Sequence, residues 1–275
     1  MIIWIASYPK SGNTWVRALL TSILYSNDGN FNFKNLGKIN QYPLKKHFKY
    51  FTEEFEKQDE IMKYWIASQE RLNLDNQVKF LKTHNANCKL AGYPFTNKHN
   101  TLATIYIVRD PRNIITSICN HFTMTYEESR DFMFDTASTI LDVEQTSTIL
   151  GSWSDHYNSW VKNNHNLLLI KYEDLISNTR KEFDKILNFI KKYKNVEINE
   201  NKIINAIKST SFENLQKLEQ TNSFMEAPKN KKSGEKVKFF NLGKKNKWEK
   251  LLDSKLKIEI EKKFFKELNE IGYLN

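Results

Sequence analysis

Four short apolar runs in this chain each give way to charged or hydroxylated residues at their C-terminal end, and each precedes a helical pattern. The first, Ile2-Ile3-Trp4-Ile5-Ala6, runs into Tyr8-Pro9-Lys10-Ser11-Gly12-Asn13-Thr14 and then into residues 15–25, apolar at 15, 16, 19, 20, 23 and 24. That pattern is a strand, a turn and a helix. The second, residues 78–81, ends in Lys82-Thr83-His84, and the third, residues 102–108, ends in Arg109-Asp110-Pro111-Arg112-Asn113. There Asp110 suits an N-cap and Pro111 the first helical position. The fourth, residues 167–170, ends in Lys171-Tyr172-Glu173-Asp174 and leads to a helix with Phe183, Ile186, Leu187 and Ile190 on one face. Uninterrupted apolar strands between helices predict an α/β chain, with a central parallel sheet flanked by helices in three layers. Open parallel sheets bind ligands at the edge formed by their strand C-termini. Lys10, Lys82, His84, Arg109 and Tyr172 are therefore expected to converge.

At 275 residues the chain can form one large domain, 1–275. Its formal net charge of +10 favours an anionic partner such as a nucleotide, a nucleic acid, an acidic substrate or a membrane surface, or a solvated lysine face with no partner. Two cysteines, Cys88 and Cys119, provide no disulfide framework and fit a reducing, cytoplasmic compartment as buried thiols. No signal-peptide pattern and no run of roughly 18 apolar residues is present, so no stable membrane insertion is expected. Six histidines (47, 84, 99, 121, 156 and 165) lack metal-ligand spacing, and no metal is expected.

The other segments carry weaker signals. Residues 27–60 are irregular and aromatic, with Phe31, Phe33, Tyr42, Phe48, Tyr50 and Phe51, and suit core packing or the wall of an acceptor pocket. Residues 222–238, rich in lysine with Pro228 and Gly234, read as a mobile surface loop. Residues 251–268 read as one amphipathic basic helix.

In the first loop, Gly12 lets the backbone approach a ligand, and the following helix offers N–H groups and the positive end of its dipole to an anion. Ser11, Asn13 and Thr14 add side-chain donors. This is a phosphate cradle, but a Walker A loop places its lysine after the second glycine and follows it with a hydroxyl for magnesium. Here Lys10 precedes Gly12, which disfavours a P-loop nucleotide kinase or NTPase. A basic nucleic-acid-binding module is a second alternative, but it gives no reason for Lys10, His84 and Arg109 to share an edge.

Tyr8-Pro9-Lys10-Ser11-Gly12-Asn13-Thr14-Trp15 resembles the 5′-phosphosulfate loop of sulfotransferases that use 3′-phosphoadenosine 5′-phosphosulfate (PAPS). The likeness continues in order. Lys82-Thr83-His84 is similar to the family's catalytic Lys-Thr-His, Arg109 with Ser117 to its 3′-phosphate clamp, and Gly151-Ser152-Trp153, Tyr172-Glu173-Asp174-Leu175 and Thr210-Ser211-Phe212 to further landmarks. The resemblance implies a P-loop-like three-layer α/β fold and transfer of a sulfuryl group from PAPS to a hydroxyl or amine acceptor, leaving 3′,5′-adenosine bisphosphate (PAP). It gives Lys10 the leaving phosphate, His84 the acceptor's proton and Lys82 the transferred group. Arg109 and Ser117 bind the 3′-phosphate, Trp15 and Phe212 enclose the adenine, and Tyr172 and Thr210 lie near its polar edge. Plain core packing of Trp15 and Phe212 is the competing expectation, as is a family member that binds the donor without transferring.

One departure stands out. Where the family carries an aromatic followed by Arg-Lys-Gly, this chain has Phe240-Asn241-Leu242-Gly243, with Trp248 at the family's spacing. Gly243 can still offer its N–H, and Lys244 or Lys245 can supply charge, although lysine and arginine are not equivalent phosphate ligands. The expected partner is a small or lipid-like hydroxyl compound, with no nucleic acid. The family's C-terminal dimerisation motif is not recognisable, which leaves the oligomeric state open.

Overall fold

A computed structural model describes residues 1–141, 146–162, 166–221, 224, 226–227 and 234–274. His165 and Pro228 lie outside the described residues. In chain order the main elements are β1 (Ile2–Ser7), α1 (Asn13–Tyr25), α2 (Trp65–Asn73), β2 (Lys79–Thr83), β3 (Thr101–Val108), α3 (Pro111–Phe122), α4 (Tyr126–Phe134), α5 (Trp153–Val161), β4 (Leu167–Lys171), α6 (Tyr172–Ser177), α7 (Thr179–Lys191), α8 (Glu200–Ser209) and α9 (Phe212–Thr221). Three short helices follow: α10 (Trp248–Leu251), α11 (Ser254–Lys263) and α12 (Phe265–Ile271).

The four strands form one parallel sheet in the order β2-β1-β3-β4, with Ala6 beside Thr83 on one side and Tyr106 on the other. Side chains on β1 alternate between two cores because successive residues of a strand face opposite ways. Ile3 and Ile5 pack with Val16, Leu19 and Leu20 of α1 and with Phe183, Ile186, Leu187 and Ile190 of α7. Ile2, Trp4 and Ala6 pack with Ile114, Ile115 and Ile118 of α3, with Trp153, Tyr157 and Trp160 of α5, and with the C-terminal helices. Both faces of the sheet are thus buried, which leaves charged residues only the ends of the strands. Connections leave β1 toward β2 and then cross back to β3, so the chain reverses direction around β1 and opens a crevice at its C-terminal end.

Asp110 fixes the next element. Its carboxylate caps α3 by accepting from the Arg112 N–H at 2.9 Å, and it pairs with the Arg112 guanidinium at 2.7 Å. Arg112 in turn reaches Glu261 and the Tyr273 carbonyl and lies 4.1 Å over the Trp248 ring, which fastens the C-terminal helices to α3.

Two expectations need correction. Residues 251–268 are not one helix: Leu252 is extended, Asp253 caps α11 by accepting from the Leu256 N–H, and Phe264 separates α11 from α12. The breaks let Leu256, Ile260, Phe264 and Leu268 all reach the core beneath. The lysine-rich stretch is not wholly a surface loop either, since Phe224 is buried, stacks on Phe33 at 4.7 Å, and contacts Phe239 and Phe240. The aromatic stretch 27–60 does pack as core, with Phe31, Tyr42 and Phe48 buried. Cys88 and Cys119 are unbridged and only half-buried.

Removing one partner of a buried, capped ion pair strands the other charge. Asp110→Ala is therefore expected to lower stability by about 3–5 kcal/mol, measured by urea unfolding. Glu200→Ala, which breaks an exposed pair with Arg180, is expected to leave the midpoint nearly unchanged.

Candidate active site

The four strand ends open onto one cleft of about 740 Å³. Lys10, Gly12, Asn13, Thr14, Trp15, Lys82, His84, Arg109, Ser117, Tyr172, Phe212, Asn241, Gly243 and Lys244 all line it. Ser11 and Thr210 do not. Ser11 is buried behind the loop, and the Thr210 hydroxyl donates to the Ala206 carbonyl at 2.7 Å, inside the last turn of α8.

The loop between β1 and α1 is bent into an unusual path. Lys10 has φ 65°, a left-handed conformation that costs a side-chain-bearing residue about 1 kcal/mol or more. Gly12 has φ 100°, and a Cβ there would lie 2.4 Å from the Tyr172 ring, so only glycine admits that ring against the loop. On its other face Tyr172 carries the Arg109 guanidinium at 4.3 Å, and Trp15 meets it edge-on. Arg109 also donates to the Lys10 carbonyl at 2.9 Å and to the Ser117 hydroxyl at 3.2 Å, joining the ends of β1 and β3. Asn13 faces inward: its amide donates to the Ile5 carbonyl and the Ser7 hydroxyl. Opposite, Gly243 at φ 53° lies so near Phe212 that a Cβ would sit 2.6 Å from its ring, and Asn241 donates to the Asn120 side chain.

His84 is held in one tautomer. Its Nδ1 lies 2.8 Å from the Ser7 carbonyl, which only accepts, so Nδ1 carries the proton and Nε2 keeps its lone pair. Behind it the Tyr106 hydroxyl donates to His156 Nδ1 at 2.8 Å, and His156 Nε2–H donates to the His84 carbonyl at 3.0 Å. Burial, then the Lys82 ammonium, push the His84 pKa well below the ordinary imidazole value. Lys10 is likewise pushed down to about 7, by burial and then by Arg109 and Lys82. Its Nζ lies 3.2 Å from His121 Nδ1 and 3.9 Å over the Phe239 ring.

Trp15 Nε1 and Arg109 Nε in the wall of this cleft, and Ser11 Oγ just behind its loop, are buried donors that meet no partner among the described residues. Each can donate a hydrogen bond, and an orphaned buried donor is costly unless an acceptor meets it. With Lys10, Lys82 and the start of α1, which carries no acid in its first turn, they fit a ligand bearing more than one anionic group. Apolar side chains line the same cleft: Phe122, Ile140, Leu141, Ala227 and Phe239. Gln41 is the residue that the aromatic stretch 27–60 contributes to the cleft, among the described residues.

Glu226 and His121 went unnoticed in the sequence. Glu226 sits in a lysine-rich stretch without a motif; the available signal was Arg17, a charge on the α1 surface that becomes buried and so demands an acid. His121 lies on α3 four residues past Ser117, on the same helical face.

The model of the sulfotransferase domain family matches residues 2–272. Amine sulfotransferase of Oryctolagus cuniculus is 24% identical over 229 residues, which cover 80% of this chain and 64% of that protein. Sulfotransferase 1A1 of Bos taurus is 26% identical over 221 residues, covering 79% and 67%. The chain thus spans about two thirds of the length of these relatives. The structure of mouse sulfotransferase SULT7A1 complexed with PAP has the same fold, with a TM-score of 0.59 at 19% identity, over 97% of this chain and 83% of that one.

The depressed Lys10 pKa has a measurable consequence. An anion bound beside Lys10 favours its charged form, so binding of an anionic ligand there should take up part of a proton above pH 7 and weaken as pH rises from 7 toward 9. Calorimetry in two buffers of different ionisation enthalpy measures the uptake, and Lys10→Met should abolish it.

Proposed function

The chain belongs to the sulfotransferase family by its match over residues 2–272, and from that premise we propose that it transfers a sulfuryl group from PAPS to a hydroxyl or amine acceptor, releasing PAP. The observation that carries this reading is His84 Nε2, a base that keeps its lone pair in a cleft to which the same strand supplies Lys82 and two other strand ends supply Lys10 and Arg109.

In this reading Ser11, Gly12, Asn13 and Thr14 form the loop that holds the 5′-phosphosulfate, while Arg109, Ser117, Gly243, Lys244 and Asn241 surround the 3′-phosphate. Trp15, Phe212 and Tyr172 form the nucleobase side, and Thr210 packs behind it. The donor supplies an activated S–O bond; the protein supplies charge and a base. His84 takes the proton from the acceptor as its oxygen or nitrogen forms a bond to sulfur. Lys10 and Lys82 stabilise the electron pair left on the phosphate oxygen when the old S–O bond breaks, the kind of electrostatic help that loose group transfer needs. No covalent enzyme intermediate is required.

The acceptor is proposed to be a small or lipid-like compound with a hydroxyl, because apolar side chains such as Phe122, Ile140, Leu141 and Phe239 line the same cleft as His84. Residues 1–275 are read as one domain, working in the cytoplasm, where Cys88 and Cys119 would remain thiols. Among the described residues no helix is long and apolar enough to cross a membrane, and no cluster of three metal-ligating side chains occurs. The P-loop kinase or NTPase alternative is not favoured.

An acceptor screen with labelled PAPS tests the proposal. Lys10→Ala is expected to lower transfer by about 10²–10³-fold. His84→Ala should lower kcat by about 10²–10⁴-fold while PAP binding stays within roughly threefold. A His84→Ala variant with normal kcat would show that another group takes the proton. A wild-type chain that binds PAP tightly and transfers to no acceptor would instead be a donor-binding member of the family.

A further inference from the structure

A carboxylate stands among the cations of the transfer centre. Glu226 Oε1 accepts from Arg17 Nη1 at 2.6 Å, and Oε2 accepts from the Thr14 hydroxyl at 3.2 Å and lies 3.6 Å from Lys82 Nζ. Arg17 is itself held rigidly, since its Nη2 donates to the carbonyls of Leu36 and Ile39. Burial alone would raise the Glu226 pKa, but Lys82, Arg17 and Thr14 outweigh it and keep the carboxyl below the usual range, so it is ionised at neutral pH.

An acid in a cleft built for an anionic donor weakens donor binding, which makes its placement informative. The groups facing His84 explain what it offsets. Lys82 approaches from the same strand and His156 from α5, and both disfavour an imidazolium; the Ser7 carbonyl on β1 and Glu226 favour it. Lys10 adds a further cation at the same edge. A base surrounded only by ammonium groups would resist the proton it has to accept.

We propose that Glu226 is a positioning residue for the transfer step: its carboxylate, fixed by Arg17 and Thr14 beside Lys82, offsets the cationic charge that His84 meets when it takes up the acceptor's proton. The proposal rests on the sulfuryl-transfer reading. The step balances as before: the acceptor's proton passes to His84 Nε2, its heteroatom bonds to sulfur, and the phosphate oxygen leaves with the electron pair. Glu226 itself exchanges no proton. Two consequences follow from its charge. The benefit is greatest for acceptors whose hydroxyl is a poor acid, because these depend most on the base. And the carboxylate lowers the affinity for the nucleotide product.

The test uses the full chain with Glu226→Gln and Glu226→Asp, measuring PAP affinity, thermal midpoint and the pH profile of kcat for acceptors from the screen, ordered by hydroxyl acidity. Glu226→Gln should lower kcat by about tenfold or more for aliphatic alcohols and by less for acidic phenols. Its acid limb should move to lower pH, since His84 becomes harder to protonate. PAP should bind roughly threefold tighter or more, one repelling charge having been removed. Glu226→Asp, which keeps the charge, should recover part of the rate. A kcat loss equal across all acceptors together with a lowered thermal midpoint would overturn the proposal and make Glu226 an anchor for its segment. Unchanged kcat, or weaker PAP binding, would overturn it as well. Because the PAP measurement needs no acceptor, a wild-type chain that binds PAP but transfers nothing counts against the sulfuryl-transfer reading, whereas Glu226→Gln matching wild type in both PAP affinity and kcat counts against this inference.

Discussion

Everything at the cleft depends on both faces of one parallel sheet being buried at once. Ile3 and Ile5 of β1 enter one core and Ile2, Trp4 and Ala6 the other, so the strand has no solvent face on which a polar residue could sit. Charged side chains are confined to the strand ends, and a parallel arrangement gathers the C-terminal ends on one edge. The bond from Arg109 to the Lys10 carbonyl then joins the two strands between which the chain reverses direction. A base, two lysines and an arginine from three distant stretches of sequence meet because the hydrophobic cores leave them no other place.

That constraint also sets how much could be read without coordinates. Lys10, Lys82, His84 and Arg109 were legible because each lies within a few residues of the end of an apolar run, where local pattern and global position coincide. The capped start of α3 at Asp110 and the apolar stripe of α7 were legible for the same local reason. Glu226 was not, since its meaning comes from Arg17, Thr14 and Lys82, all more than a hundred residues earlier, and its own neighbours look like a solvated lysine tract. The C-terminal segment misled in the opposite way. Its continuous amphipathic pattern hides two breaks, at Leu252-Asp253 and at Phe264, which let α10 and α11 meet α3 and α12 meet α5. Thr210 matched a motif, yet its hydroxyl is used to finish α8.

The cleft joins two kinds of surface. On one side are buried donors that need acceptors, Ser11, Trp15 and Arg109 among them; on the other are Phe122, Ile140, Leu141 and Phe239. Between them stand His84, fixed by Ser7 in front and by Tyr106 and His156 behind, and the opposed charges of Lys82 and Glu226. Backbone contacts hold the base, while burial first and then the neighbouring charges set how readily it takes a proton.

The place of β1 in the sheet also bears on how the chain is made. It is a central strand, but its partners are β2, which begins at Lys79, and β3, which begins at Thr101. At a synthesis rate of about 5–20 residues per second, β1 waits several seconds for neighbours on either edge. During that time Ile2-Ile3-Trp4-Ile5-Ala6 is a short, uncharged, β-prone segment of the sort that pairs with other copies of itself. The strand that carries the phosphate loop is therefore also the stretch most in need of protection, by a chaperone or by a slow enough supply of chains, before the sheet closes around it.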